Sequence, residues 1–156
     1  MDIDPLPATS LLAQIAVDFG FSQIIALSIA ALGLLMSGFI SGSEISFFSL
    51  SQSQLEELED TPKGEAITKL LKDPERLLAT ILIANNTVNV TIVILCNFAL
   101  GPIFSSMSPV LSFILQTVIL TFLILLFGEI LPKLYANSYN LTWAKFAVSG
   151  IGFLTK

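Results

Sequence analysis

Three polar clusters interrupt an otherwise apolar chain, and each of them presents hard oxygen. Glu129 follows Gly128 at the end of a long apolar run, and Pro132 stands three residues later. Proline has no backbone N–H, so the carbonyl four residues before it, that of Gly128, loses its helical donor. A carboxylate beside an unpaired carbonyl is a ligand pair suited to Mg²⁺, Ca²⁺ or Na⁺. The same residues also read as a plain helix end at a membrane edge, with Glu129 in water or paired with Lys133 at i,i+4. In Asn85-Asn86-Thr87-Val88-Asn89, the first and last residues are four apart and share a helical face, so their carboxamides can converge, while Asn86 points about 100° away. Amides inside a membrane span are costly unless they bond a ligand or a neighbouring helix, and interhelical glue is the competing reading. Ser41-Gly42-Ser43-Glu44 adds two hydroxyls, a glycine that permits close packing or a bend, and a carboxylate that is either a ligand or a cytoplasmic attractor of cations. A locally widened helix here would release backbone carbonyls as further ligands.

Other chemistries find no footing. The chain has no His, a single Cys and a formal charge of −5, so imidazole chemistry, a disulfide within the chain, thiolate clusters and a basic nucleic-acid surface are not expected. Cys96 lies in an apolar run and reads as a small hydrophobe. No phosphate-binding or dinucleotide glycine motif occurs, and no nucleophile, base and orienting group converge, so an enzyme is not expected.

The elements that position the clusters follow from hydropathy and charge. Of 156 residues, 54% are hydrophobic and 12% charged, against about 25% charged in soluble domains. Mean hydropathy is +0.84. The expected fold class is an all-α membrane protein with three transmembrane helices, over about 21–40, 77–100 and 110–127, plus juxtamembrane helices. All seven Lys and Arg residues then fall on one side: Lys63, Lys69, Lys72, Arg76, Lys133, Lys145 and Lys156. The positive-inside rule places that side in the cytoplasm, with the N-terminus and the 100–109 turn outside.

Residues 1–20 read as an extracytoplasmic tail with a short interfacial helix within 11–19, and 21–140 as the transmembrane domain. Within that domain 45–75 reads as cytoplasmic-face helices, one running from Glu44 to about Leu58 and broken at Pro62 and Gly64, another over 65–72 ending at Asp73-Pro74. A plain loop with helical stretches is the alternative. Residues 141–156 are expected to form a last juxtamembrane helix, with Tyr139 and Trp143 near the headgroups, rather than a fourth span. Ser28, Ala30, Ala31, Gly33, Ser37 and Gly38 form a small-residue packing face on the first span. Ending at a Lys just after a helix, the chain reads as the membrane part of a longer protein.

FISGSEISFFSLS at 39–51, LLATILIANNTVNVTIV at 77–93 and FGEILPKLYA at 127–136 resemble the transmembrane domain of the CorC/CNNM family of magnesium transport proteins. The resemblance covers most of 20–140, and the GEI-x-PK signature is its most specific part. It implies a homodimer in the lipid bilayer of the bacterial inner membrane. It also implies Mg²⁺ export coupled to Na⁺ uptake, with ion ligands at Ser41, Ser43, Asn85, Asn86, Asn89, Gly128 through its carbonyl, and Glu129. The family pattern further places paired CBS modules that bind an adenine nucleotide, then a small CorC-type domain, after the membrane part. Some members resemble accessory proteins of bacterial gliding motility, so a non-transporting scaffold or Mg²⁺ sensor, with the gliding machinery as partner, is the alternative function.

Overall fold

The computed structural model describes residues 7–10 and 20–155, which leaves the helix expected within 11–19, and Lys156, outside the described residues. The elements are α1 (Phe21–Phe48), α2 (Gln52–Glu57), α3 (Pro62–Leu71), α4 (Pro74–Phe104), α5 (Pro109–Leu123), a π-helical segment (Ile124–Ile130), α6 (Leu131–Ser138) and α7 (Asn140–Thr155). No strand occurs among the described residues. α5, the π-helical segment and α6 form one unbroken rod from Pro109 to Ser138. With α1 and α4 it makes three helices long and apolar enough to cross a membrane, of 28, 31 and 30 residues. At 1.5 Å per residue they are roughly 42 to 47 Å long. A hydrocarbon layer is about 30 Å thick, so each helix projects beyond it.

The extra length comes from residues that read as breaks in the sequence. α1 continues through Ser41-Gly42-Ser43-Glu44 to Phe48, so the helix expected from Glu44 to Leu58 is reduced to α2. Nothing in that stretch stops a helix, and two of its serines direct their hydroxyls back onto it: Ser43 Oγ donates to the Phe39 carbonyl at 2.6 Å and Ser46 Oγ to the Ser43 carbonyl at 3.0 Å. Pro62 and Pro74 open helices instead of ending them. Thr61 accepts the Gly64 N–H at 3.0 Å, Asp73 accepts that of Arg76 at 3.1 Å, and Ser108 accepts that of Leu111 at 3.3 Å ahead of Pro109. A capping oxygen followed by proline suits a helix start, because the missing N–H is one the first turn does not use.

Packing is densest at the end of the spans that carries the basic residues. There Ile40 and Phe47 of α1, Ile67 of α3, Leu77 and Ile81 of α4, and Ala144, Ala147, Val148 and Ile151 of α7 form one buried core. A smaller cluster of Ala30, Ile92, Cys96, Leu120 and Ile124 holds the three long helices together further along. Elsewhere large apolar side chains such as Leu35, Ile83 and Phe122 face outward, as a lipid-exposed surface requires.

α7 buries one side against this core instead of forming a further span. Trp143 is half-buried and packs on α1. Its indole lies on α1 over Gly42, and its Nε1–H donates to Ser43 Oγ at 3.3 Å. A Cβ at position 42 would stand 2.5 Å from the Trp143 ring. The Gly42→Ala variant is therefore expected to lose about 1–2 kcal/mol, overpacking outweighing the helix propensity gained. A lower thermal midpoint in detergent together with altered Trp143 fluorescence checks this, and an unchanged midpoint would contradict the packing.

Candidate ion-binding site

Ser37 and Ser41 lie one turn apart on α1, and Asn85 and Asn89 one turn apart on α4. Both carboxamides aim at the same hydroxyl: Ser37 Oγ is 2.9 Å from Asn85 Oδ1 and 2.7 Å from Asn89 Oδ1. A serine hydroxyl has one proton to donate, so it satisfies only one of these oxygens at a time. Either one carboxamide turns over and donates its NH₂ to Ser37, or a cation balances three converging oxygens. Ser37 is fully buried, and Asn85 nearly so. One turn further along α1, the buried Ser41 Oγ has no hydrogen-bond partner among the described residues. An orphaned buried hydroxyl costs about 1–3 kcal/mol and calls for a ligand or a water.

The third span closes the site through its π-helical segment. Gly128 lies against Ser37, and a Cβ on Gly128 would stand 3.0 Å from Ser37 Oγ. Where the sequence leads one to expect a helix break at Pro132, the rod widens and continues, with the Leu131 N–H donating to the Leu126 carbonyl five residues back. Shifting to the i→i−5 register lets the helix absorb the proline's missing donor and ring without ending. The widening therefore sits at Gly128-Glu129, not at Ser41-Gly42, where α1 stays α-helical. Pro132 itself packs on α1, since a Cβ at Gly38 would meet its ring at 3.0 Å.

Glu129 is half-buried and shares a crevice of about 330 Å³ with Asn89, between α4 and the third span. Asn89 is thus common to the serine cluster and to the carboxylate. The Glu129–Lys133 pair that an i,i+4 spacing permits does not form. Lys133 Nζ instead reaches Glu44 of α1 at 3.4 Å, the one ion pair among the described residues. Lys133 is thereby spent on a partner in another helix, and Glu129 is left without an ion pair among the described residues.

The structure thus brings Ser37, Asn85, Asn89 and Gly128 together, with Ser41 one turn away and Glu129 alongside Asn89. Two expected ligands lie elsewhere. Ser43 is occupied by Phe39 and Trp143, on the α7 side of α1. Asn86 is exposed on the outward face of α4. Ser37, which residue type alone assigns to the packing stripe of α1, joins the site. Its spacing to Ser41 repeats the four-residue interval of Asn85 and Asn89, and that was the available signal. Among the described residues no three of His, Cys, Asp and Glu cluster, so the donor set is neutral oxygen with one carboxylate nearby. Such a set suits a hard cation that keeps part of its water.

Residues 28–156 match the family model of the cyclin M (CNNM) transmembrane N-terminal domain. The chain is also 30% identical over 106 residues to the UPF0053 inner membrane protein YfjD of Escherichia coli (strain K12), and 35% identical over 105 residues to a UPF0053 protein of Haemophilus influenzae. These alignments take in 67% and 66% of this chain but 24% of each relative, so the chain spans about a quarter of their length. With its three long apolar helices, the chain is a membrane protein and belongs to the cyclin M transmembrane domain family.

Proposed function

We propose that this chain is the ion-handling membrane core of a Mg²⁺ exporter of the bacterial inner membrane, driven by Na⁺ uptake, with the basic end of its spans in the cytoplasm. The observation that carries the reading is the convergence of the Asn85 and Asn89 carboxamide oxygens on the Ser37 hydroxyl. Mg²⁺ from the basic side exchanges part of its water for these oxygens and for Ser41, while Glu129 supplies the charge that neutral donors lack. Na⁺, which accepts a looser cage of the same oxygens, competes for them. Alternation between the two ions at overlapping ligands is the simplest coupling this geometry supports.

A second reading draws on Asn86. A carboxamide on an outward membrane face is costly in hydrocarbon, and a second copy of the chain would relieve it. In a non-transporting scaffold or sensor, the asparagines would serve assembly instead of flux.

Isothermal titration of Mg²⁺ into the full-length protein separates these roles. Glu129→Gln and Ser37→Ala are each expected to weaken binding roughly tenfold or more, the scale of losing one ligand worth about 1.4 kcal/mol. Asn86→Ala is expected to keep the ion affinity and to weaken dimers in light scattering. Unchanged affinity in both Glu129→Gln and Ser37→Ala would remove the site assignment. For transport, Mg²⁺ flux in proteoliposomes with an opposing Na⁺ gradient is expected in the wild type and lost in Glu129→Ala. Absence of flux from correctly inserted full-length protein that still binds Mg²⁺ would favour the scaffold or sensor.

A further inference from the structure

A groove of about 620 Å³ lies at the basic end, away from the serine and asparagine cluster, between α3, the first turn of α4 and the last turns of α7. Its walls are mainly apolar, with Leu70, Leu77 and Val148 along its length. Lys69 and Arg76 also line it. Both are exposed, and neither forms an ion pair among the described residues. Asp73 lines the same groove, but its carboxylate is engaged as the N-cap of α4, accepting the Arg76 backbone N–H at 3.1 Å. Arg76 spends one guanidinium N–H on the Thr155 carbonyl at 2.7 Å, which fixes it at the groove mouth with four donors left over.

Depth identifies the occupant class. Arg76 and Leu77 stand in the first turn of a membrane-crossing helix that is longer than the hydrocarbon is thick, so the groove lies toward the headgroup end of that span. Phe153 of α7, 77% exposed, adds an apolar ring to the groove wall. Apolar walls with two cations against one capping carboxylate at the rim leave a net positive charge that matches a molecule with an acyl chain and a phosphodiester, and basic pockets between helices at a membrane face bind such headgroups. We propose that this groove is a binding site for an anionic glycerophospholipid of the leaflet at the basic end, its phosphate held by Lys69 and Arg76 and an acyl chain lying along Leu70, Leu77 and Val148. The site is independent of the ion reading, since none of the converging oxygens lines it.

Native mass spectrometry of the full-length protein in mixed micelles of phosphatidylglycerol and phosphatidylcholine tests this. A phosphatidylglycerol adduct is expected, weakened about 5-fold by Lys69→Ser, the scale of one cation at a membrane surface. Lys72→Ser, which removes a neighbouring charge outside the groove, is expected to leave the adduct unchanged. Arg76→Ser is expected to weaken it at least as much, and Lys69→Ser keeps the test sound should loss of the Arg76 bond to Thr155 disturb α7. Equal adducts with both lipids, or equal effects of Lys69→Ser and Lys72→Ser, would overturn the site. So would a photo-crosslinker on Ser149→Cys that captured polypeptide in place of lipid.

Discussion

Ser37 has a single hydroxyl proton, yet two carboxamide oxygens stand within hydrogen-bond distance of it at 2.9 and 2.7 Å. In water this would mean nothing, because solvent would serve whichever oxygen was left over. In a membrane core each unserved oxygen costs what a buried polar group costs, about 1–3 kcal/mol by protein measures and more in hydrocarbon. Ser41, one turn away, adds another unserved oxygen. The three long helices therefore enclose a place where a carboxamide must turn its NH₂ inward or a cation must serve the oxygens, and their packing elsewhere holds it together.

That packing explains why the third helix changes register. For the third span to close on Ser37, it must approach α1 as near as backbones can, and the contact positions are glycines on both sides, Gly38 and Gly128. Pro132 sits in the same contact and cannot donate to the carbonyl four residues before it. A helix that broke there would lose its last two turns and their grip on α1. The π-helical segment keeps the rod continuous by passing hydrogen bonds to acceptors five residues back, as Leu131 does to Leu126. Glu129 lies inside this widened stretch and lines the crevice it shares with Asn89, while Lys133 pairs with Glu44 instead.

Much of this was legible in the residues. Hydropathy gave three spans, and the four-residue interval gave the convergence of Asn85 and Asn89, because both are periodic signals that local sequence carries. The ends of helices are less legible. Pro62 and Pro74 look like stops, although Thr61 and Asp73 before them are capping residues that make each proline a start. Two site details depend on tertiary contact. Ser43 looks equivalent to Ser41 by residue type, but its hydroxyl is bonded to the Phe39 carbonyl and to Trp143, a hundred residues later. Ser37 looks like any small residue of a packing stripe until Asn85 and Asn89 are seen to point at it.

The distribution of burial bears on how such a site can work. Over its most apolar stretch α1 has 33% of its residues buried, α4 17% and the third span 11%. At the basic end α1, α3, α4 and α7 share a core like that of a soluble domain, whereas the third span carries two buried apolar side chains into the mid-membrane cluster, Leu120 and Ile124. Segments with few buried apolar contacts cost least to displace. The element that brings Glu129 to the site is thus the least buried over its apolar stretch, and it is held on α1 at its other end, where Pro132 meets Gly38. Gly128 rests on Ser37 in that same stretch, so the place of Glu129 beside Asn89 is set by close contact with α1 and not by burial along the rest of the helix.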